Sequence, residues 1–368
     1  MRKLLFVTFS NSQTFSGGSQ CAKRNLQSLQ ELLGHENVTP YVLTPDKEGR
    51  RLKGSLQRAL GIAKGYFGSL TERGLREIMQ LLRNCHFTDL FIDSSQLGLL
   101  ARYARSQCPK VRITVFFQNI EYDFFRSNVL QCHDYIHSFW IPLARHNELC
   151  ACRYADTLIV LNNKDARRLE SLYGRHADAV IPITMRNDYT PTFADKVPSP
   201  KQHPSPKQAL FVGSYFFGNT KGLKWFCNDI LPHTDAHLTI VGSGMDAFAR
   251  DNSVTEQITI YSNVPDLTPY YEAADLIVLP IISGGGMKVK TAEALKYGKY
   301  IIGTREALEG YDVTADIATE CADTASFIAA INSYSAKSPF NAASRQTFVT
   351  KYAYEISLQL FKTALSIT

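Results

Sequence analysis

The sequence has no apolar run of 18 residues and no signal-peptide pattern, so neither a membrane-spanning helix nor a secretory leader is expected. Paired C-x-x-C spacing is missing as well. The eight cysteines, at positions 21, 85, 108, 132, 150, 152, 227 and 321, form no compact framework, which excludes a disulfide scaffold and fits a reducing cytoplasm. Charge of one sign is also scarce: 40 Lys and Arg stand against 34 Asp and Glu, a net +6. That excess is too weak to argue for nucleic acid and is compatible with phosphorylated ligands or an anionic membrane surface. With 45% hydrophobic and 20% charged residues over 368 positions, disorder is excluded and two domains with full cores fit the length.

What the chain does contain is a succession of short apolar runs. Lys3–Thr8, Val38–Leu43, Leu90–Asp93, Val111–Phe117, Thr157–Leu161 and Val180–Ile183 read as strands of the first half, of the kind buried on both faces of a parallel sheet. Helical patterns run from about Gln20 to Leu33 and over Trp140–Tyr154. Five prolines between Arg186 and Lys207, with almost no apolar periodicity, mark a linker. The pattern then begins again with strands Ala209–Val212, Leu238–Val241, Ile258–Tyr261 and Leu276–Leu279 and a helix over Gly222–Ile230. The expectation is an α/β chain of two doubly wound, Rossmann-like domains, 1–190 and 208–344, joined by a Pro-rich linker at 191–207 and followed by a helical segment at 345–368.

The chemistry concentrates after Leu276–Leu279. Gly284, Gly285 and Gly286 have no Cβ atoms, so their N–H groups can converge on an anion. Met287 to Tyr297 reads as a helix, with Gly298 at the left-handed position that ends it. Lys288 and Lys290 then fall in its first turn, where the macrodipole disfavours a cation by about 0.3–1 kcal/mol unless an anion sits beside it. A phosphate would reverse that sign. Glu293 lies at i,i+3 from Lys290 and can accept bonds from sugar hydroxyls. The alternative is a surface helix whose lysines cover apolar neighbours and whose glutamate makes an ordinary ion pair.

Lys290-Thr291-Ala292-Glu293-Ala294 and Gly298-Lys299-Tyr300-Ile301-Ile302, behind a strand and a glycine turn, resemble the donor site of retaining glycosyltransferases of the GT-B architecture, particularly glycosyltransferase family 4. The resemblance implies two Rossmann-like domains facing each other across a cleft that holds the active site, with the segment Phe348–Leu365 returning to the first domain. It implies a nucleotide-sugar donor, UDP first, and a glycan or lipid-linked acceptor, with no metal and no cofactor. The amides of Gly284, Gly285, Gly286 and Met287, with Lys288 or Lys290, would meet the diphosphate, and Glu293 the ribose. Gly242 and Val264, the latter in a loop whose backbone meets the base, would complete the donor contacts, with Gly17 and Gly18 approaching from the first domain. A plain turn is the alternative for Gly17 and Gly18. The chain departs from the family at three points. An earlier glutamate is replaced by Gly285, a histidine near the reacting centre by Gln118, and an arginine after the first strand of the second half by Ser214, for which Lys221 is a partial substitute.

Beyond the carboxyl ends of Leu90–Asp93 and Val111–Phe117 stand Asp93, Gln118 and Glu121, where open parallel sheets place their ligands. An amide exchanges no proton, so Gln118 can only orient a hydroxyl, and Asp93 and Glu121 are the remaining candidates for acid–base work. Their alternative is to cap loops or helices.

Two rival sites are weaker. The strand Leu238–Val241 followed by Gly242-x-Gly244-x-x-Ala247 fits a dinucleotide fingerprint, but the next strand ends in Ser262-Asn263 without the acid that binds the adenosine ribose. Cys132, His133, His137, His146, Cys150 and Cys152 lack a second ligand pair at a zinc-site interval. Residues 47–76 carry eight cations against Glu48 and Glu72, with Leu52, Leu56, Leu60, Ala63 and Phe67 at helical spacing. This is the pattern of a helix lying on an anionic membrane, a basic loop beside the cleft being the alternative. The expected function is therefore sugar transfer with retention, in bacterial surface polysaccharide or glycoconjugate synthesis, by a cytoplasmic protein at the inner face of the membrane. A nucleotide-sugar epimerase of the same fold and a non-catalytic sugar-nucleotide-binding protein are the alternatives.

Overall fold

The computed structural model describes residues 2–9, 17–44, 59–132, 135, 138–191, 206–252, 255–335, 338 and 340–367. They form two compact units, Met1–Pro182 with Ser357–Thr368, and Ile183–Ile356.

The sheet of the first unit contains β1 (Leu4–Thr8), β2 (Val38–Val42), β3 (Asp89–Ile92), β4 (Arg112–Phe117), β5 (Thr157–Val160) and β6 (Ala179–Val180). All neighbours are parallel, in the order β2-β1-β3-β4-β5-β6. β1 and β3 are buried along their whole length because helices cover both faces, which is why they read as unbroken apolar runs. On one face, Phe6 stacks on Phe91 at 5.3 Å, and Phe361 of the helix Tyr354–Ala364 packs 6.1 Å from Phe91 and 6.3 Å from Phe116. The strand order reverses between β1 and β3, so a crevice opens at their carboxyl ends, beside Thr8 and Asp93.

Two sequence expectations change here. Gly17 and Gly18 are not a turn ahead of the helix; they are its first residues, Gly17–Leu33. The apolar line proposed for 47–76 is not one exposed face. Leu52 and Leu56 lie outside the described residues, Leu60 is exposed, but Phe67 is buried against Leu143 and Ala144, with its ring 4.8 Å from Trp140 and 5.5 Å from Phe125. Aromatic burial takes Phe67 for the core.

The second unit contains β7 (Lys207–Val212), β8 (Ala236–Gly242), β9 (Ile258–Ser262), β10 (Leu276–Leu279), β11 (Tyr300–Gly303) and β12 (Ala318–Glu320). The order is β12-β11-β10-β7-β8-β9, again parallel throughout. Here β7 and β10 flank the reversal, and the loops after Val212 and Leu279 edge the crevice. The helix expected over Gly222–Ile230 begins at Phe217, runs to Trp225 and continues as a wider turn over Phe226–Ile230. Gly222 lets this helix pack against the chain after β10: a Cβ there would stand 1.7 Å from the Pro280 carbonyl oxygen. The helix expected from Met287 is shorter, Val289–Lys296, since Met287 is buried in the loop and Lys288 has an extended backbone at the N-cap. Gly298 has φ +61° and ends the helix as expected.

Candidate functional site

In the second unit, the loop from Pro280 to Lys288 crosses the carboxyl ends of β10 and β11 and is pinned from several sides. Gly284 and Gly286 have φ +147° and +59°, conformations that side chains disfavour. The Thr304 hydroxyl donates to the Ile281 carbonyl, and the Tyr311 hydroxyl to the Lys288 carbonyl at 2.7 Å. Lys288 turns back on its own loop: its Nζ donates to the carbonyls of Gly285 at 3.3 Å and Gly286 at 2.9 Å and pairs with Glu306 at 2.6 Å. Lys288 therefore shapes the turn, outside the helix, and with its bonds already spent on protein oxygens it is a poor diphosphate ligand.

Lys290 behaves differently. Its Nζ lies 4.9 Å from the Phe211 ring centroid, 3.2 Å from where a Cβ of Gly213 would stand, and 2.5 Å from Asn219 Oδ1. Burial lowers its pKa to about 7, against the opposing pull of Glu293 and with the added repulsion of Lys288. Glu293, one turn on and half-buried, has its pKa raised by burial and accepts from the Tyr271 hydroxyl at 3.3 Å. Tyr271 is wholly buried and stacked on Tyr297 at 4.2 Å, which fixes the hydroxyl that aims the carboxylate. Lys290 and Glu293, on the helix that follows the glycine loop, thus lie at the β7/β10 reversal, where open parallel sheets take their ligands.

Of the other expected donor contacts, Ser214 is close: its carbonyl accepts from Asn219 Nδ2 at 2.9 Å. Gly242 packs its backbone on Gly213, a Cβ there reaching 1.8 Å from the Gly213 carbonyl oxygen. Lys221 is not brought in; its Nζ sits 5.9 Å over the Phe217 ring. Val264 follows β9, the edge strand, which β7 and β8 separate from β10. The dinucleotide rival fails on topology, because Gly242 and Gly244 follow β8 and not the strand at the reversal, and their turn is closed by Asn263, whose Oδ1 accepts from Gly244 N at 3.1 Å.

The first unit holds a second cluster. Asp93 is fully buried at the end of β3 and accepts from Asn25 Nδ2 at 2.7 Å, Thr8 Oγ1 at 3.3 Å and Gln118 Nε2 at 3.2 Å. Burial raises its pKa to about 7 despite these donors and the nearby Arg24. With its Nε2 also given to the Asp93 carbonyl at 2.9 Å, Gln118 presents Oε1 towards Gly18, 2.9 Å from where a Cβ of Gly18 would stand. Asp93, Gln118 and Gly18 are brought together; Glu121 is not. Its carboxyl is buried at the start of the helix Glu121–Cys132, and burial pushes its pKa up to about 7.

Sequence reasoning missed Asn219, Tyr271, Glu306 and Glu148. Glu148 is buried, and its carboxyl accepts the N–H groups of Glu121 at 2.6 Å and Tyr122 at 3.3 Å and the Tyr173 hydroxyl at 2.6 Å. No spacing in the sequence ties these partners together. Among the described residues, no three His, Cys, Asp or Glu side chains are grouped to hold a metal ion, and no helix is long and apolar enough to cross a membrane. His133 and His137 lie outside the described residues.

Residues 206–336 match the family model Glycosyl transferases group 1. Among solved structures, Anabaena Alr3699/HepE in complex with UDP is similar over 100% of both chains, with 13% identity and a TM-score of 0.64. A glycosyltransferase from Rickettsia africae ESF-5 is similar over 100% of this chain and 99% of its own, with 15% identity and a TM-score of 0.63. An uncharacterized 44.6 kDa protein in the cps region of Klebsiella pneumoniae is 26% identical over 27% of this chain, and the match spans 30% of that relative's length. The glycine loop, Lys290 and Glu293 fall inside the matched residues, and the two parallel six-stranded sheets are those of the GT-B fold. The chain thus matches the glycosyl transferases group 1 over residues 206–336 and has the GT-B fold.

Proposed function

We propose that this protein transfers a sugar from a nucleoside diphosphate sugar, UDP-linked, to a glycan or lipid-linked acceptor with retention of anomeric configuration. The observation that carries the reading is Lys290 Nζ and the Glu293 carboxylate beside the glycine loop at the β7/β10 reversal, where Lys290 meets no carboxylate within ion-pair distance among the described residues. Lys290 and the loop amides take the diphosphate, and Glu293 takes the ribose hydroxyls. The Anabaena structures in complex with UDP and with UDP-glucose support a UDP-sugar as donor.

In the reaction the bond from the anomeric carbon to the diphosphate breaks and its electron pair leaves with the nucleotide. The acceptor oxygen bonds to that carbon on the same face, and its proton passes to the departing diphosphate oxygen. Charge on the leaving diphosphate is met by Lys290 and the loop amides, so the catalysis is electrostatic. Gln118, held by Asp93, accepts from the acceptor hydroxyl through Oε1 and orients it; it exchanges no proton. Surface polysaccharide or glycoconjugate synthesis is the setting, consistent with the Klebsiella relative's description. In that setting the protein works at the inner face of the membrane, its basic stretch 47–76 towards anionic lipid.

Incubation with UDP-sugars and a panel of glycan and lipid-linked acceptors tests the reading. The expected products are UDP and a glycoside with the donor's anomeric configuration. A new epimer of the donor would make the protein an epimerase, and donor binding without turnover would make it a non-catalytic binder, a reading favoured by Gln118 and Ser214 standing where the resembling enzymes carry histidine and arginine.

A further inference from the structure

Ser214 leaves the loop after β7 without a cation, and Asn219 occupies the space beside it. The amide bridges two parts of the site: Nδ2 donates to the Ser214 carbonyl at 2.9 Å, and Oδ1 accepts from Lys290 Nζ at 2.5 Å. Around this ammonium, β7 offers only the Phe211 ring and the Gly213 backbone. Its own helix offers Glu293, which is turned to Tyr271. The glycine loop offers Lys288, already paired with Glu306, and the helix that carries Asn219 offers Lys221, which sits over Phe217. No carboxylate lies within ion-pair distance of Lys290 among the described residues.

We propose that Asn219 is a positioning residue that aims Lys290 at the donor diphosphate and makes nucleotide capture proton-coupled, the proton being taken up on Lys290 Nζ. The inference rests on the nucleotide-sugar reading of the same site. An arginine would bring a permanent charge to the diphosphate, whereas an amide brings none, so the charge must come from Lys290. Burial holds that amine near pKa 7, so above neutral pH the empty site is largely uncharged. A bound anion favours the charged form, and linkage then requires net proton uptake. The Asn219 carbonyl accepts from the amine in either state and keeps it in place as its charge changes.

Calorimetry of the full chain with UDP at pH 8, in buffers of differing ionisation enthalpy, reads the proton directly. At that pH the UDP phosphates are already ionised, since their second pKa is about 6. Wild type is expected to take up close to one proton, with affinity falling about tenfold per pH unit above neutrality. Asn219→Asp sets a carboxylate against Lys290, charges it beforehand and competes with the diphosphate. It should bind UDP about tenfold more weakly, with proton uptake near zero and a flat pH profile. Asn219→Ala should keep the uptake and lose affinity. A role confined to packing would weaken both variants while leaving the wild-type proton count, and that result would overturn the proposal.

Competitive acetylation of ligand-free protein, read by mass spectrometry at Lys290, separates this inference from the function it rests on. Asn219→Asp should lower Lys290 reactivity at pH 8 several-fold relative to wild type. Equal reactivity overturns the pairing whatever UDP does. Altered reactivity with no UDP binding by wild type upholds the pairing and overturns the nucleotide reading and, with it, the proton-coupled capture.

Discussion

Gly222 lies so close to Pro280 that a Cβ on it would stand 1.7 Å from the proline's carbonyl oxygen. The helix Phe217–Trp225 is thereby seated on the carboxyl end of β10, which sets Asn219 against Lys290. Gly222→Ala cannot be absorbed by moving a side chain, because the obstacle is backbone, and overpacking of this kind costs about 1–3 kcal/mol or more. Chemical denaturation should show a loss of that size, and UDP affinity should fall with it. Unchanged stability would mean that the helix is free to back away.

Glu293→Gln keeps an acceptor for the buried Tyr271 hydroxyl and removes only the charge. Melting of the free protein should change little, while UDP binding weakens by about 1.5 kcal/mol, the lower end for hydrogen bonds to a charged group. Glu293→Ala is a poorer test, since it strands Tyr271. Equal UDP affinity of Glu293→Gln and wild type in calorimetry would return Glu293 to a purely structural role.

Gln118→Leu preserves volume and deletes the carbonyl that faces Gly18. Transfer to acceptor should slow about tenfold, the worth of one hydrogen bond of roughly 1–1.5 kcal/mol, while UDP affinity stays at the wild-type value. An unaltered transfer rate would show that the acceptor hydroxyl is oriented elsewhere.

The pH dependence of stability has a defined sign in the first unit. Burial raises the Glu148 carboxyl from 4.5 to about 8, ahead of the opposing Tyr173 hydrogen bond and the reinforcing charge of Glu121. A raised carboxyl is protonated more readily in the folded state, so its stabilisation is complete below pH 4.5 and is lost as pH rises through about 8. Asp93 and Glu121, each raised to about 7, act in the same direction. Urea midpoints should therefore fall between pH 5 and pH 9, as the linkage requires, and less steeply in Glu148→Gln. An identical slope in the variant would mean that Glu148 does not titrate in that range.

Much of this architecture is legible in the chain because parallel strands buried on both faces must be apolar throughout. Leu276–Leu279 occupies the bounds read from the sequence, and Thr157–Val160 departs from its expected end by a single position. Termini were harder where side-chain type and backbone state disagree: Met287 is apolar and buried like a helix residue, yet it belongs to the loop. The Lys290 and Glu293 positions could be picked out because their spacing within one helix is local. Asn219 could not, since its partner is 71 positions away and nothing in an asparagine of the first helical turn announces a distant ammonium. Glu148 was hidden for the same reason: within Trp140–Tyr154 it reads as an ordinary helical glutamate until Glu121 and Tyr173 are seen on its carboxyl.

The central claim is that the glycine loop, Lys290 and Glu293 hold a nucleoside diphosphate. A thermal-shift panel of UDP, GDP, ADP, TDP and NAD, run on wild type and Lys290→Ala, measures it most directly. A ligand at about 100 times its dissociation constant adds roughly 2.7 kcal/mol, or about 5–10 °C for a unit of this size. That shift is expected with UDP on wild type, a much smaller one on Lys290→Ala, and none with NAD. A shift with NAD alone, or an equal UDP shift in both proteins, would contradict it.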